Sequence, residues 1–218
     1  MNQAKKTDQK RNTILRVAKK LFWENGYEST TTRQICDVSN ISTGLLFFYF
    51  ESKNVLFNNV IDDIFNDFFD VIKKYAFARN EPFQRYSTAM MFAYSMLLEN
   101  EKFRKLYRSA LNSSSTWMLI AHKLDEFMKI LLEDSGYEIN DDFFPNILAL
   151  CGAERALLIN VIDGNISIGI EEAAAILLRV GLSSFKIMPD EIDKLIDDAR
   201  SYVQSRHTDF SKTIWALY

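Results

Sequence analysis

Apolar residues recur every three to four positions along almost the whole chain, and alternating strand-like runs are missing. The pattern predicts a protein built of helices. Over 11–25, Ile14, Ala18, Leu21 and Phe22 share one face, and Gly26 closes the helix. From Thr31 to Lys53 the pattern breaks into two short helices and the start of a third. Thr31 or Thr32 caps a helix expected to bury Ile35, Cys36 and Val38. Asn40 suits the left-handed residue of a tight turn. Ser42 or Thr43 caps a second helix, whose Leu46 and Phe50 fall at i and i+4 and turn inward. Two short helices joined this way form a helix-turn-helix, whose second helix enters the major groove of DNA.

Beyond this motif the periodicity predicts longer helices over 52–78, 82–98, 101–111, 116–134, 141–162, 170 or 171–187, and 189–206. Residues 1–10 read as a basic arm and 207–218 as an apolar tail. Few turn formers interrupt the pattern, with seven Gly and three Pro, and 48% of residues are hydrophobic, so the class is all-α with a substantial core. The expected organisation is a DNA-binding head over 1–53 and a body over 54–218.

The order of residues in the motif also resembles one family. Ile35, then Ile41-Ser42-x-Gly44-x-Leu46, aromatics, Phe50, Ser52-Lys53 and Leu56 are similar to the N-terminal domain of TetR-type transcriptional repressors. The likeness runs from about Lys10 to Leu56. It implies a ligand-responsive repressor that binds a duplex DNA operator as a homodimer. By the same resemblance Thr32, Tyr49 and Lys53 match positions that grip phosphates. Arg33 and Thr43 match positions that reach base edges, and Gly44 lets the backbone approach DNA. Ser42, the cap, is counted with them. The chain departs from the family at Phe47, where Tyr is usual and its hydroxyl reaches a phosphate, and at Asn40, where Gly is usual. The missing hydroxyl supports an alternative reading, a small-molecule-binding helical protein with a vestigial DNA domain.

The residues say part of this without the family. If Leu46 and Phe50 face inward, then Leu45, Phe47 and Phe48 face outward with Thr43 and Gly44. Such an apolar cluster marks an interaction surface unless a ring folds back onto a neighbouring helix. Charge sharpens the picture. The chain carries −3 overall, but residues 1–53 hold nine basic and five acidic side chains, leaving −7 on the rest.

For the body, the resemblance implies an effector cavity among the central helices and a dimer bundle made by the last two long helices. Candidates for a deformable hydrophobic site are Phe65, Phe68, Met90, Met91, Tyr94, Tyr107, Trp117, His122 and Phe127. A neutral or cationic aromatic effector fits them, with Asp62, Asp63 and Glu126 on the same helices as carboxylates for a cation. Small residues on two C-terminal helices, Gly152, Ala156, Ala174, Gly181 and Ser184, are the candidate homodimer face. Glu154 and Arg155 stand on an otherwise apolar helix, as an ion pair at the dimer face or in the pocket.

Other classes find no footing. No phosphate loop, nucleophile motif or metal-ligand spacing is present, so neither catalysis nor a cofactor or metal is expected. Cys36 and Cys151 are expected reduced and buried, as in the cytoplasm. No apolar run approaches spanning length, so no membrane association is expected.

Overall fold

The computed structural model describes residues 3–133 and 136–218, with side chains from Asp8 onward. Among them are ten helices and no strand. The first three are α1 (Gln3–Asn25), α2 (Thr32–Ser39) and α3 (Thr43–Tyr49). Then come α4 (Lys53–Ala76), α5 (Pro82–Glu99), α6 (Glu101–Asn112) and α7 (Ser114–Leu131). The last are α8 (Phe143–Ile162), α9 (Ile170–Ser184) and α10 (Pro189–Trp215). The all-α class is as the periodicity predicts.

Both ends are more helical than expected. Within the segment read as an arm, α1 already begins at Gln3, because no Gly or Pro interrupts a run of good helix formers. Met1 and Asn2 lie outside the described residues, as does Asp134, the expected end of the helix from 116. The apolar tail is the end of α10. The stripe Ile192, Ile196, Ala199 and Val203 continues through Phe210 and Ile214, all buried, so packing carries the helix past 206. Val38 is a second correction. It is 61% exposed, since α2 buries the side bearing Ile35 and Cys36 and Val38 points away from it.

The first three helices are held to the body by α4, whose first half packs against α1. Phe22 meets Phe57 edge to face at 5.4 Å, Arg11 donates to Asn59 Oδ1 at 2.6 Å, and Lys19 bridges Asp63 and Asp67 at 2.7 and 2.8 Å. The end of α10 adds a second tie. Tyr218 stacks on Trp23 of α1 at 4.6 Å and donates to Asp67 Oδ2 at 3.0 Å. In the body, α5 runs through the middle, against α4, α9 and α10, and is buried on nearly every side.

The expectation about membranes needs one amendment. Helix α8 is long and apolar enough, by length and composition, to cross a membrane, with mean hydropathy 1.3. Only 28% of that window is buried; most of the rest is half-buried beside α9, with Pro145, Asn146, Ala149 and Ala156 exposed.

Candidate nucleic-acid interface and effector cavity

The head is built by caps and a turn that the sequence spells out. Thr31 and Gln34 form a reciprocal capping box at the start of α2. The Gln34 N–H donates to Thr31 Oγ1 at 3.2 Å, and the Thr31 N–H donates to Gln34 Oε1 at 2.7 Å. Asn40 closes α2 in the left-handed conformation, at φ 52°. Ser42 Oγ caps α3, accepting from the Leu45 N–H at 3.3 Å. Leu46 and Phe50 are buried with Ile14, Ala18 and Phe22, so α3 is fixed by its inner face.

That fixation presents the outer face. Phe47 is 43% and Phe48 76% exposed, and neither ring folds back. Thr43, Gly44 and Arg33 are exposed, and Leu45, Tyr49 and Thr32 half-buried. A Cβ added at Gly44 would meet nothing within 4 Å, so no intramolecular contact demands glycine there. Tyr49 packs edge-on to Phe48 at 5.3 Å. Lys53 begins α4 with its ammonium over the Tyr27 ring at 4.1 Å, which holds the charge beside the helix N-terminus. Burial lowers the Lys53 pKa, against a smaller opposing pull from Glu28.

In the body, α4 to α8 line a partly open apolar cavity. Six of the expected residues line it: Phe65, Phe68, Met90, Tyr94, Tyr107 and Phe127. Three do not. Met91 faces a separate cleft between α5, α9 and α10. Trp117 donates its indole N–H to the Cys151 carbonyl at 3.2 Å, with Arg155 over its ring. His122 is exposed and stacks on Phe144. These three fit by residue type, but their helix faces point elsewhere.

The carboxylates are also rearranged. Asp62 pairs with Lys123 and Asp63 with Lys19, and Glu126 is exposed, so none lines the cavity. Glu154 does. It is 5% exposed, and Oε1 accepts from the Tyr107 hydroxyl at 2.5 Å. Its chain neighbour Arg155 is turned to Trp117, so the two form no ion pair. Burial raises the Glu154 pKa to about 7, partly offset by the Tyr107 hydrogen bond. Burial also pushes Tyr94 and Tyr107 up, with Glu154 next in order among the causes.

A carboxyl whose pKa is raised on folding stabilises the fold at low pH, and that contribution is lost as pH climbs through the folded value. From its ordinary 4.5 to about 7, the loss by pH 8 amounts to roughly 3 kcal/mol. Glu154→Gln is therefore expected to melt higher than the parent at pH 8 and level with it below about pH 4.5. Denaturant unfolding at the two pH values checks this; a difference independent of pH contradicts it.

The candidate dimer residues divide. Ala156 and Ser184 are exposed and Gly152 is half-exposed. Ala174 and Gly181 are buried inside the chain, against the assignment. Ala174 faces α5 and α10, and Gly181 faces Tyr86 of α5, whose hydroxyl lies 2.1 Å from where a Cβ would stand. Ile176 and Val180 are the exposed apolar residues of α9 that the reading from small residues passed over.

Residues 14–60 match the sequence profile described as bacterial regulatory proteins, tetR family. Over 49 residues the chain is 45% identical to the HTH-type transcriptional regulator QacR of Staphylococcus aureus, 22% of this chain and 26% of that protein. Over 62 residues it is 42% identical to the HTH-type transcriptional regulator HbdR of an Aromatoleum species, 27% of each. The chain thus spans about a quarter to a third of the length of the curated relatives it matches. In fold the likeness is longer. The structure of RolR in complex with resorcinol gives a TM-score of 0.70 at 16% identity, over 90% of this chain and 96% of that one. Thermus thermophilus FadR, a TetR-family repressor in complex with lauroyl-CoA, gives 0.63 at 15% identity, over 79% and 93%. At these identities the likeness is one of fold.

Proposed function

We propose that this chain, whose residues 14–60 match the tetR-family profile, is a transcriptional regulator that binds duplex DNA as a homodimer and is released by a small hydrophobic or aromatic effector. The observation that carries the DNA reading is α3: a helix pinned by Leu46 and Phe50, with Phe47 and Phe48 bare on its other side. Thymine methyl groups are the complement of that surface, so the half-site core is A·T-rich. Arg33 supplies the donor to a base edge, and Lys53, Thr32 and Tyr49 hold phosphates. The head is residues 1–53 and the effector and dimer domain 54–218.

Two features support the rest. Phe65 and Phe68 line the cavity while Phe57, Asn59, Asp63 and Asp67 of the same helix hold α1. An effector that fills the cavity biases α4, and α4 carries both recognition helices away from successive major grooves. The second is the half-buried apolar side of α8, with Leu148, Leu157 and Ile159, beside the exposed Ile176 and Val180, which a second copy would cover. The fold neighbours named with resorcinol, an aromatic diol, and lauroyl-CoA, an acyl thioester, support a ligand with an aromatic or acyl part.

Binding to random-sequence and selected duplexes tests this. Arg33→Ala is expected to relax the preference at particular base pairs, and Lys53→Ala to weaken every sequence about equally. Phe47→Tyr is expected to tighten binding by roughly 1 kcal/mol through a phosphate contact. A G·C-rich consensus, or unchanged sequence preference in Arg33→Ala, would contradict these roles. Failure of every variant and the parent to bind duplex DNA would favour a vestigial head.

A further inference from the structure

We infer that the body cavity selects a hydrophobic or aromatic ligand bearing a positively charged amine, with Glu154 as its counter-ion. The inference rests on the reading of this cavity as the effector site. Glu154 is the one charged side chain in the lining, and every other group there is apolar or a tyrosine. Among the described residues it has no basic partner, since Arg155 lies over Trp117, 5.6 Å from the ring centroid, and only Tyr107 donates to it. A buried carboxylate without a cation is costly, and an ammonium group removes that cost when it enters. An anionic ligand would meet repulsion in a region of low dielectric, and a sugar would find few partners for its hydroxyls. Aromatic side chains line the space, Phe65, Phe68, Phe103 and Tyr107 among them, and a ring face open to it adds attraction for the cation.

Tyr107 acts as a positioning residue, holding Oε1 and leaving the other carboxylate oxygen for the ligand. The pH profile of binding belongs to Glu154. Tyr86 and Tyr94 from α5, Tyr107 from α6 and Cys151 from α8 are all pushed upward and stay neutral near neutrality. Helices α4 and α7 contribute apolar side chains to the lining. With a folded pKa of about 7, the cation binds better above that pH and worse below it.

The test measures the affinity of the full chain for benzyltrimethylammonium and for neopentylbenzene, its neutral carbon isostere, at pH 5.5 and 8.5. The expected result is a preference for the cation of at least about tenfold at pH 8.5, falling several-fold at pH 5.5. Glu154→Gln is expected to erase both the preference and its pH dependence while binding the isostere nearly as before. Tyr107→Phe keeps the carboxylate and is expected to keep the preference but move its midpoint to higher pH. Equal affinity of the parent for the two probes at pH 8.5 would overturn the counter-ion role and leave the cavity as effector site. Binding of neither probe would overturn both. If Glu154→Gln fails to fold, an unshifted midpoint in Tyr107→Phe overturns the inference.

Discussion

Gly181→Ala is expected to destabilise the folded chain by about 3 kcal/mol, because the added methyl has no room. Its Cβ would stand 2.1 Å from the Tyr86 hydroxyl, 3.2 Å from Tyr86 Cζ and 3.4 Å from Leu150 Cδ2. A hydroxyl at the end of a mobile side chain would swing aside. Tyr86 is 0% exposed and packs edge-on to Phe185, so it has nowhere to swing. For a protein of this size the loss lowers the melting temperature by roughly 10 °C. Among the described residues the Tyr86 hydroxyl is itself buried without a hydrogen-bond partner. Tyr86→Phe alone is therefore neutral or mildly stabilising, and Gly181→Ala with Tyr86→Phe recovers most of the loss. Thermal melts of the two single variants and the pair form the cycle. A Gly181→Ala protein that melts like the parent but sediments as a monomer would return Gly181 to the dimer face.

The second large effect is on assembly. Ala156→Glu with Val180→Glu is expected to give a folded monomer whose affinity for a two-half-site duplex is down by at least about a hundredfold. Ala156 is exposed on α8 and Val180 is 46% exposed on α9, so neither change disturbs the core. In a two-fold interface each change enters twice, once from each copy, and burying unpaired carboxylates there is costly. One recognition helix alone retains only its own half-site contacts. Sedimentation and melting separate the outcomes. A dimer of unchanged affinity would place the interface elsewhere, and a monomer with full DNA affinity would show that pairing is not required.

The parts legible in the sequence are those set by near neighbours in the chain. The cap at Thr31, the left-handed turn at Asn40 and the Leu46–Phe50 pair all lie within four residues of their partners, so spacing alone places them. What was not legible depends on how distant helices meet. Glu154 and Tyr107 are 47 positions apart, and only the packing of α6 against α8 puts one hydroxyl on the other's carboxylate. Trp117 and His122 share the residue types of the cavity wall, yet one caps a carbonyl and the other stacks at the surface. A glycine such as Gly181 permits close helix approach within a chain as well as between chains, and sequence does not distinguish the two. The extension of α10 was readable in principle, since Phe210 and Ile214 continue the stripe from Ile192, but intervening polar residues concealed it.

The account is tested most directly by the anisotropy of a labelled duplex, selected from random DNA, titrated with the full chain with and without a saturating compound that raises its melting temperature. The predicted result is tight binding by the dimer to an inverted repeat with A·T-rich half-sites. Affinity should fall steeply with salt, and by at least about tenfold when the compound is present. A compound that stabilises the protein and leaves DNA affinity unchanged, or a chain that binds no duplex above background at low salt, would contradict it.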